Sequence, residues 1–89
     1  MIYLRKLIKN YIEKLTLNDL KSYAYKYNIS LNNNELEIIL FYLKNNLQSI
    51  LYDDESKTLE YLEDKINNDA YLKIKDLFLN YKHKYQSFL

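Results

Sequence analysis

Apolar positions recur along this chain every three or four residues, the period that gathers side chains on one face of an α-helix. Leu4, Leu7, Ile8, Tyr11, Ile12 and Leu15 form the first such stripe, with Arg5, Lys6, Lys9 and Lys14 across from it. The spacing predicts a helix over 3–15. Thr16 then reads as an N-cap, with Asp19 three residues on in the manner of a capping box. A second helix is expected over 17–27, turning Leu17, Leu20, Ala24 and Tyr27 inward. Asn28 can close it in the left-handed conformation where glycine usually sits. After the link Ile29-Ser30-Leu31, Asn32 or Asn33 caps a third helix over 33–46, with Glu35 suited to its first turn.

That third segment departs from a simple stripe. Leu36, Ile39, Leu40, Leu43 and Leu47 line one side, and Ile38, Phe41 and Tyr42 cover much of the remainder. A girdle that wide calls for burial on several sides, so this helix is expected at the centre of the fold. Asn45 and Asn46 weaken its end, and Leu47, Ile50 and Leu51 read as an apolar linker. Asp53 and Asp54 would cap a fourth helix over 54–67, with Leu59, Leu62 and Ile66 inward. Asn67, Asn68 and Asp69 break the pattern again. A last helix over 69–86 carries Ala70, Ile74, Leu77, Phe78 and Tyr81 on its stripe, with Tyr85 near its end.

Composition strengthens the all-helical expectation. Glycine and proline are absent, and so is valine, while Leu, Lys and Glu favour helix. Tight hairpins lose their usual residues, leaving 11 Asn to serve as caps and turns. Seventeen Leu and nine Ile suffice for a core, which must form without disulfides because there is no cysteine. The excess of Asn, Ile, Lys and Tyr is what AT-rich codons produce. Eighty-nine residues point to one domain, 1–89.

Charge narrows the partners. Thirteen basic against 12 acidic residues give +1, too balanced to argue for nucleic acid or an anionic membrane. No apolar run approaches the ~18–20 residues that span a bilayer. The opening segment MIYLRKLIKNYIEK is charged at every turn, unlike a signal-peptide core. The expected location is the cytoplasm.

Candidate chemistry is sparse. The one histidine, His83, sits between Lys82 and Lys84, which disfavour its protonated form and build no triad. Asp53, Asp54 and Glu55, with Glu60, Glu63 and Asp64, match no cation loop, and helix capping accounts for them. Phosphate-cradling loops need glycines that are missing. No catalytic, cofactor or metal residues are assigned. Tyr11, Tyr23, Tyr27 and Tyr81 fall on core stripes, whereas Tyr25, Tyr61, Tyr71 and Tyr85 are expected nearer solvent, where they could serve an interface.

The stretch LTLNDLKSYAYKYNISLNNNELEIILFYL, residues 15–43, resembles a family of small uncharacterised proteins from Bacillus-type bacteria, the domain-of-unknown-function family 2624. The likeness lies in the Leu15-Thr16 pair opening a helix, Leu20-Lys21, Tyr23-Ala24, the run Tyr27 to Leu31 and the Ile- and Leu-rich helix that follows. The acidic cap at Asp53 to Glu55 and Leu77-Phe78 in the last helix also fit. The resemblance implies a small helical cytoplasmic protein and assigns no function. Leu17, Leu20-Lys21, Ala24, Ile29 and Leu36 also resemble the helix–extended-loop–helix of SAP-type nucleic-acid-binding motifs. Asn28 and Asn32 to Asn34 stand where that motif favours glycine and basic residues.

The sequence therefore predicts an all-α bundle of four to five short helices around a central apolar helix. Its leading functional reading is a non-enzymatic protein–protein interaction module, self-associating as a homodimer. The surplus apolar positions Ile38, Phe41 and Tyr42 on the third helix, and Tyr71, Leu72 and Leu79 on the last, are the candidate interface. The alternative is a nucleic-acid-binding helical domain using Arg5, Lys6, Lys9, Lys14, Lys21 and Lys26.

Overall fold

A computed structural model describes the backbone of residues 2–85 and the side chains of residues 4–80. Among the described residues the chain forms six helices: α1 (Ile2–Lys14), α2 (Leu17–Lys26), α3 (Asn33–Asn45), α4 (Leu47–Tyr52), α5 (Ser56–Glu63) and α6 (Asn68–Tyr85). The fold is an all-α bundle. Its helix starts are written in side chains that replace the missing intrahelical partners of the first N–H groups. The Asp19 N–H donates to Thr16 Oγ1 and the Thr16 N–H donates to Asp19 Oδ2, a closed capping box on α2. Asn32 and Glu35 repeat this reciprocal pair on α3. Asp54 accepts from the Ser56 N–H before α5, and Asn67 Oδ1 accepts from the Ala70 N–H before α6.

The helix ends are equally legible. Asn28 takes φ 58°, the left-handed region. Around it the Ile29 N–H donates to the Ala24 carbonyl and the Asn28 N–H to the Tyr25 carbonyl, the two bonds of a Schellman closure. Asn45 and Asn46 end α3 differently. Their side-chain amides donate back to the Phe41 and Tyr42 carbonyls, at 2.8 and 2.9 Å. Leu47 to Leu51 is not a linker, as its composition suggested, but part of the short helix α4. Asn46 spends its side chain on α3 and makes no side-chain cap for α4, so the sequence carries no start signal there. The fourth predicted helix shortens from 54–67 to α5, because the backbone turns after Glu63.

The largest buried cluster joins Ile29 of the link, Ile39 of α3, Leu59 and Leu62 of α5, Ile66, and Ala70 and Tyr71 of α6. Leu20, Ala24, Leu31, Leu43, Ile74, Leu77 and Phe78 pack around it. Helix α3 lies against α1, α2 and α4, which accounts for its wide apolar girdle. At 100° per residue, its buried side chains Leu36, Ile39 and Tyr42 sweep one arc, and half-buried Leu40 and Leu43 adjoin it. The exposed arc opposite holds Asn34, Glu37, Phe41, Lys44 and Asn45.

Three stripe expectations need correction. Leu7, Tyr11 and Tyr23 lie at the exposed margins of α1 and α2. The six-residue α4 is too short to cover the whole apolar side of α1, and polar contacts supplement the packing there. Arg5 Nε donates to the Leu51 carbonyl at 3.1 Å, and its guanidinium sits 4.8 Å from the Tyr52 ring centroid. Lys44 Nζ donates to the carbonyls of Ile12 and Glu13, placing a cation on the negative end of α1.

Candidate interaction surface

The candidate interface residues divide between core and solvent. Tyr42 is only 6% exposed: its ring stacks on Tyr61 at 4.6 Å, and its hydroxyl meets Thr58 Oγ1 at 3.2 Å. Tyr71, placed at the surface by its offset from the α6 stripe, is 8% exposed and belongs to the main core cluster. Both are therefore removed from the candidate surface. The physical reason is shared: neighbouring helices cover a broader arc than a narrow stripe implies. Ile38 is half-buried. Phe41, Leu72 and Leu79 remain outside, 67%, 53% and 46% exposed.

Phe41 lies on α3, and Leu72 and Leu79 lie on α6. Phe41 stands alone on α3, with the polar residues Glu37, Lys44 and Asn45 one turn away on either side. Leu72 and Leu79 are seven residues apart on α6, so they fall on nearly the same line along its outer face, about 10.5 Å apart. The opposite side of α6 carries Ala70, Ile74 and Leu77 into the bundle. Lys75 and Asp76, both exposed, lie between the two leucines.

A second feature was not foreseen. An open groove of about 590 Å³ runs between α2 and the start of α3, floored by Ala24, Ile29, Leu31 and Leu36 and rimmed by Lys21 and Tyr25. Its lower end is fixed by Glu35. That carboxylate accepts from the Asn32 N–H at 2.9 Å and from the Asn67 N–H at 2.6 Å, while Asn67 Nδ2 reaches the Ser30 carbonyl at 2.9 Å. These bonds tie the start of α3 to the turn before α6. The Asn32 N–H, and after it the Asn67 donors, hold the Glu35 carboxyl below its ordinary range against a desolvation that pulls the other way. The sequence suited Glu35 to the first turn of this helix, but nothing local in it pairs Glu35 with a residue 32 positions away.

Two of the acidic residues hold ion pairs with a lysine four positions on. Asp53 pairs with Lys57 and Asp69 with Lys73, each across one helical turn. The Lys57 hydrogen bond, with a second from Ser49, holds Asp53 below the usual carboxylate range. Among the described residues no group of three His, Cys, Asp or Glu side chains could hold a metal ion. The side chains of Tyr81, Lys82, His83, Lys84 and Tyr85 lie outside the described residues.

Four of the six cations of the nucleic-acid alternative stand on α1 and two on α2, and three of them have partners within the chain. Arg5 is committed to Leu51 and Tyr52, Lys9 pairs with Glu13, and Lys26 lies 5.6 Å from the Tyr27 ring centroid. Lys6 and Lys14 are exposed on α1, and Lys21 stands on the groove rim. Tyr11 joins its hydroxyl to that of Tyr23 across the α1–α2 corner. Partial desolvation, then this hydrogen bond, push the Tyr11 phenol up to about 12.

Taken together, the described residues form a small all-α bundle with open grooves and an outward apolar line. Among them no helix is long and apolar enough to cross a membrane. The family model described as "Protein of unknown function (DUF2624)" matches residues 1–82, and the chain belongs to that family. No curated protein and no solved structure matches it.

Proposed function

We propose that this protein is a non-enzymatic protein–protein interaction module that associates with itself. The observation that carries the reading is the outer face of α6. Leu72 and Leu79 stand about half exposed on one line, while the inner face of the same helix is already seated in the core. Apolar side chains aligned outside a completed core lower the free energy by leaving water, and two-fold pairing is the commonest way to do so. Three of the carboxylates have a structural account, since those of Asp19, Glu35 and Asp54 accept from the Thr16, Asn32 and Ser56 N–H groups at or just before helix starts.

Sedimentation equilibrium over a hundredfold concentration range tests the reading. The mass should rise from 10.9 kDa toward twice that value. The rise should persist in high salt, because apolar burial is not screened as phosphate contacts are. A monomer mass at every concentration would refute self-association.

A further inference from the structure

The geometry points to a parallel, two-fold pairing of α6 with α6 of a second copy, in which Leu72 and Leu79 meet their counterparts and Lys75 of each chain faces Asp76 of the other. This rests on the self-association proposed above and specifies its surface and polarity. Leu72 and Leu79 define the centre line of the outer face. On a helix turning 100° per residue, Lys75 lies about 50° to one side of that line and Asp76 about 50° to the other. All four side chains are exposed. Among the described residues, Lys73 of this helix is occupied by Asp69 and the Asn28 carbonyl, whereas neither Lys75 nor Asp76 takes part in an ion pair.

Polarity follows from this arrangement. When two helices pair with a two-fold axis along their length, the left flank of each meets the right flank of the other. Lys75 then faces Asp76 of the second copy on both sides of the leucines, at nearly the same height. In an antiparallel pair each flank meets itself, so lysine would face lysine and aspartate would face aspartate. Opposite charges across an interface fix register and reject the wrong arrangement. The charge pattern therefore selects the parallel pair and names a second copy of this chain as the occupant.

Charge exchange and single cysteines test this on the whole chain, with helix content checked by circular dichroism. Lys75→Glu and Asp76→Lys should each weaken self-association about tenfold, since each turns two attractions into two repulsions. An equimolar mixture of the two variants should recover the affinity, because each supplies the charge the other lacks. The chain has no cysteine of its own. Leu72→Cys alone, and Leu79→Cys alone, should oxidise to a covalent dimer faster than an exposed control, Tyr25→Cys. A mixture should give mainly 72–72 and 79–79 links. A dimer unaffected by Lys75→Glu, or one giving mainly 72–79 links, would overturn the parallel pairing and leave self-association standing. A monomer at all concentrations would overturn both.

Discussion

Helices α3 and α6 both carry more apolar side chains than one stripe needs, and the bundle disposes of the surplus in opposite ways. Helix α3 has α1, α2 and α4 around it, and its excess goes inward: Leu36, Ile39 and Tyr42 are buried, leaving Phe41 alone in a polar arc. Helix α6 rests its inner face on the core and keeps Leu72 and Leu79 outside. The difference lies in how many neighbours each helix has, which its own periodicity does not encode. A girdle at the centre of a bundle is a packing feature. A leucine line on the outside of a peripheral helix is an unspent surface.

Substitutions on α3 should therefore damage the fold, and those on the outer face of α6 should spare it. The largest effect belongs to Leu36→Ala, which truncates a side chain only 3% exposed and should cost about 2–5 kcal/mol in chemical denaturation. A loss no greater than that of an exposed residue would break the contrast. Glu35→Gln comes next, because one carboxylate serves both the α3 cap and the turn before α6. The folded pKa of Glu35 lies below its ordinary 4.5, so its stabilisation is fully present above that pH and is lost as the pH falls through the lowered folded value. Urea midpoints of the variant should fall less steeply with pH below 4.5 than those of the wild type. Equal slopes would contradict the clamp.

Tyr42→Phe is a smaller test. It leaves the buried Thr58 hydroxyl without its tyrosine partner and should cost about 1 kcal/mol. The stacking on Tyr61 stays intact, so near-native helix content should be kept. Leu79→Ser should change the stability of the monomer least, within about 0.5 kcal/mol, while weakening self-association. If it unfolds the chain, the outer face of α6 belongs to the core after all.

Local chemistry made much of the fold legible. The Thr16–Asp19 box and the left-handed Asn28 are short-range devices found where the sequence predicts them, and of the two cap candidates for α3 the structure takes Asn32, closing a box with Glu35. The inward positions of α5 and α6 are buried at Leu59, Leu62 and Ala70, and Ile66 is buried in the turn between the two helices. What the sequence hid depends on distance along the chain. Helix α4 has only six residues, and the Asn46 side chain that would announce it is turned back onto Tyr42. The contacts of Lys44 with the end of α1, and of Glu35 with Asn67, join residues more than 30 positions apart. Of the candidate surface, Phe41, Leu72 and Leu79 were legible as apolar surplus, and Tyr42 and Tyr71 were misplaced. A helical wheel gives angles but not how many of them the neighbours cover.

The central claim is that the unspent apolar surface of this bundle lies on the outer face of α6, not on α3. An amide correlation spectrum followed through a dilution series reads this residue by residue. The account predicts that signals of Leu72, Lys75, Asp76 and Leu79 move with concentration while those of Glu37, Phe41 and Asn45 stay fixed. Shifts centred on Phe41, or a spectrum that does not change with concentration, would contradict it.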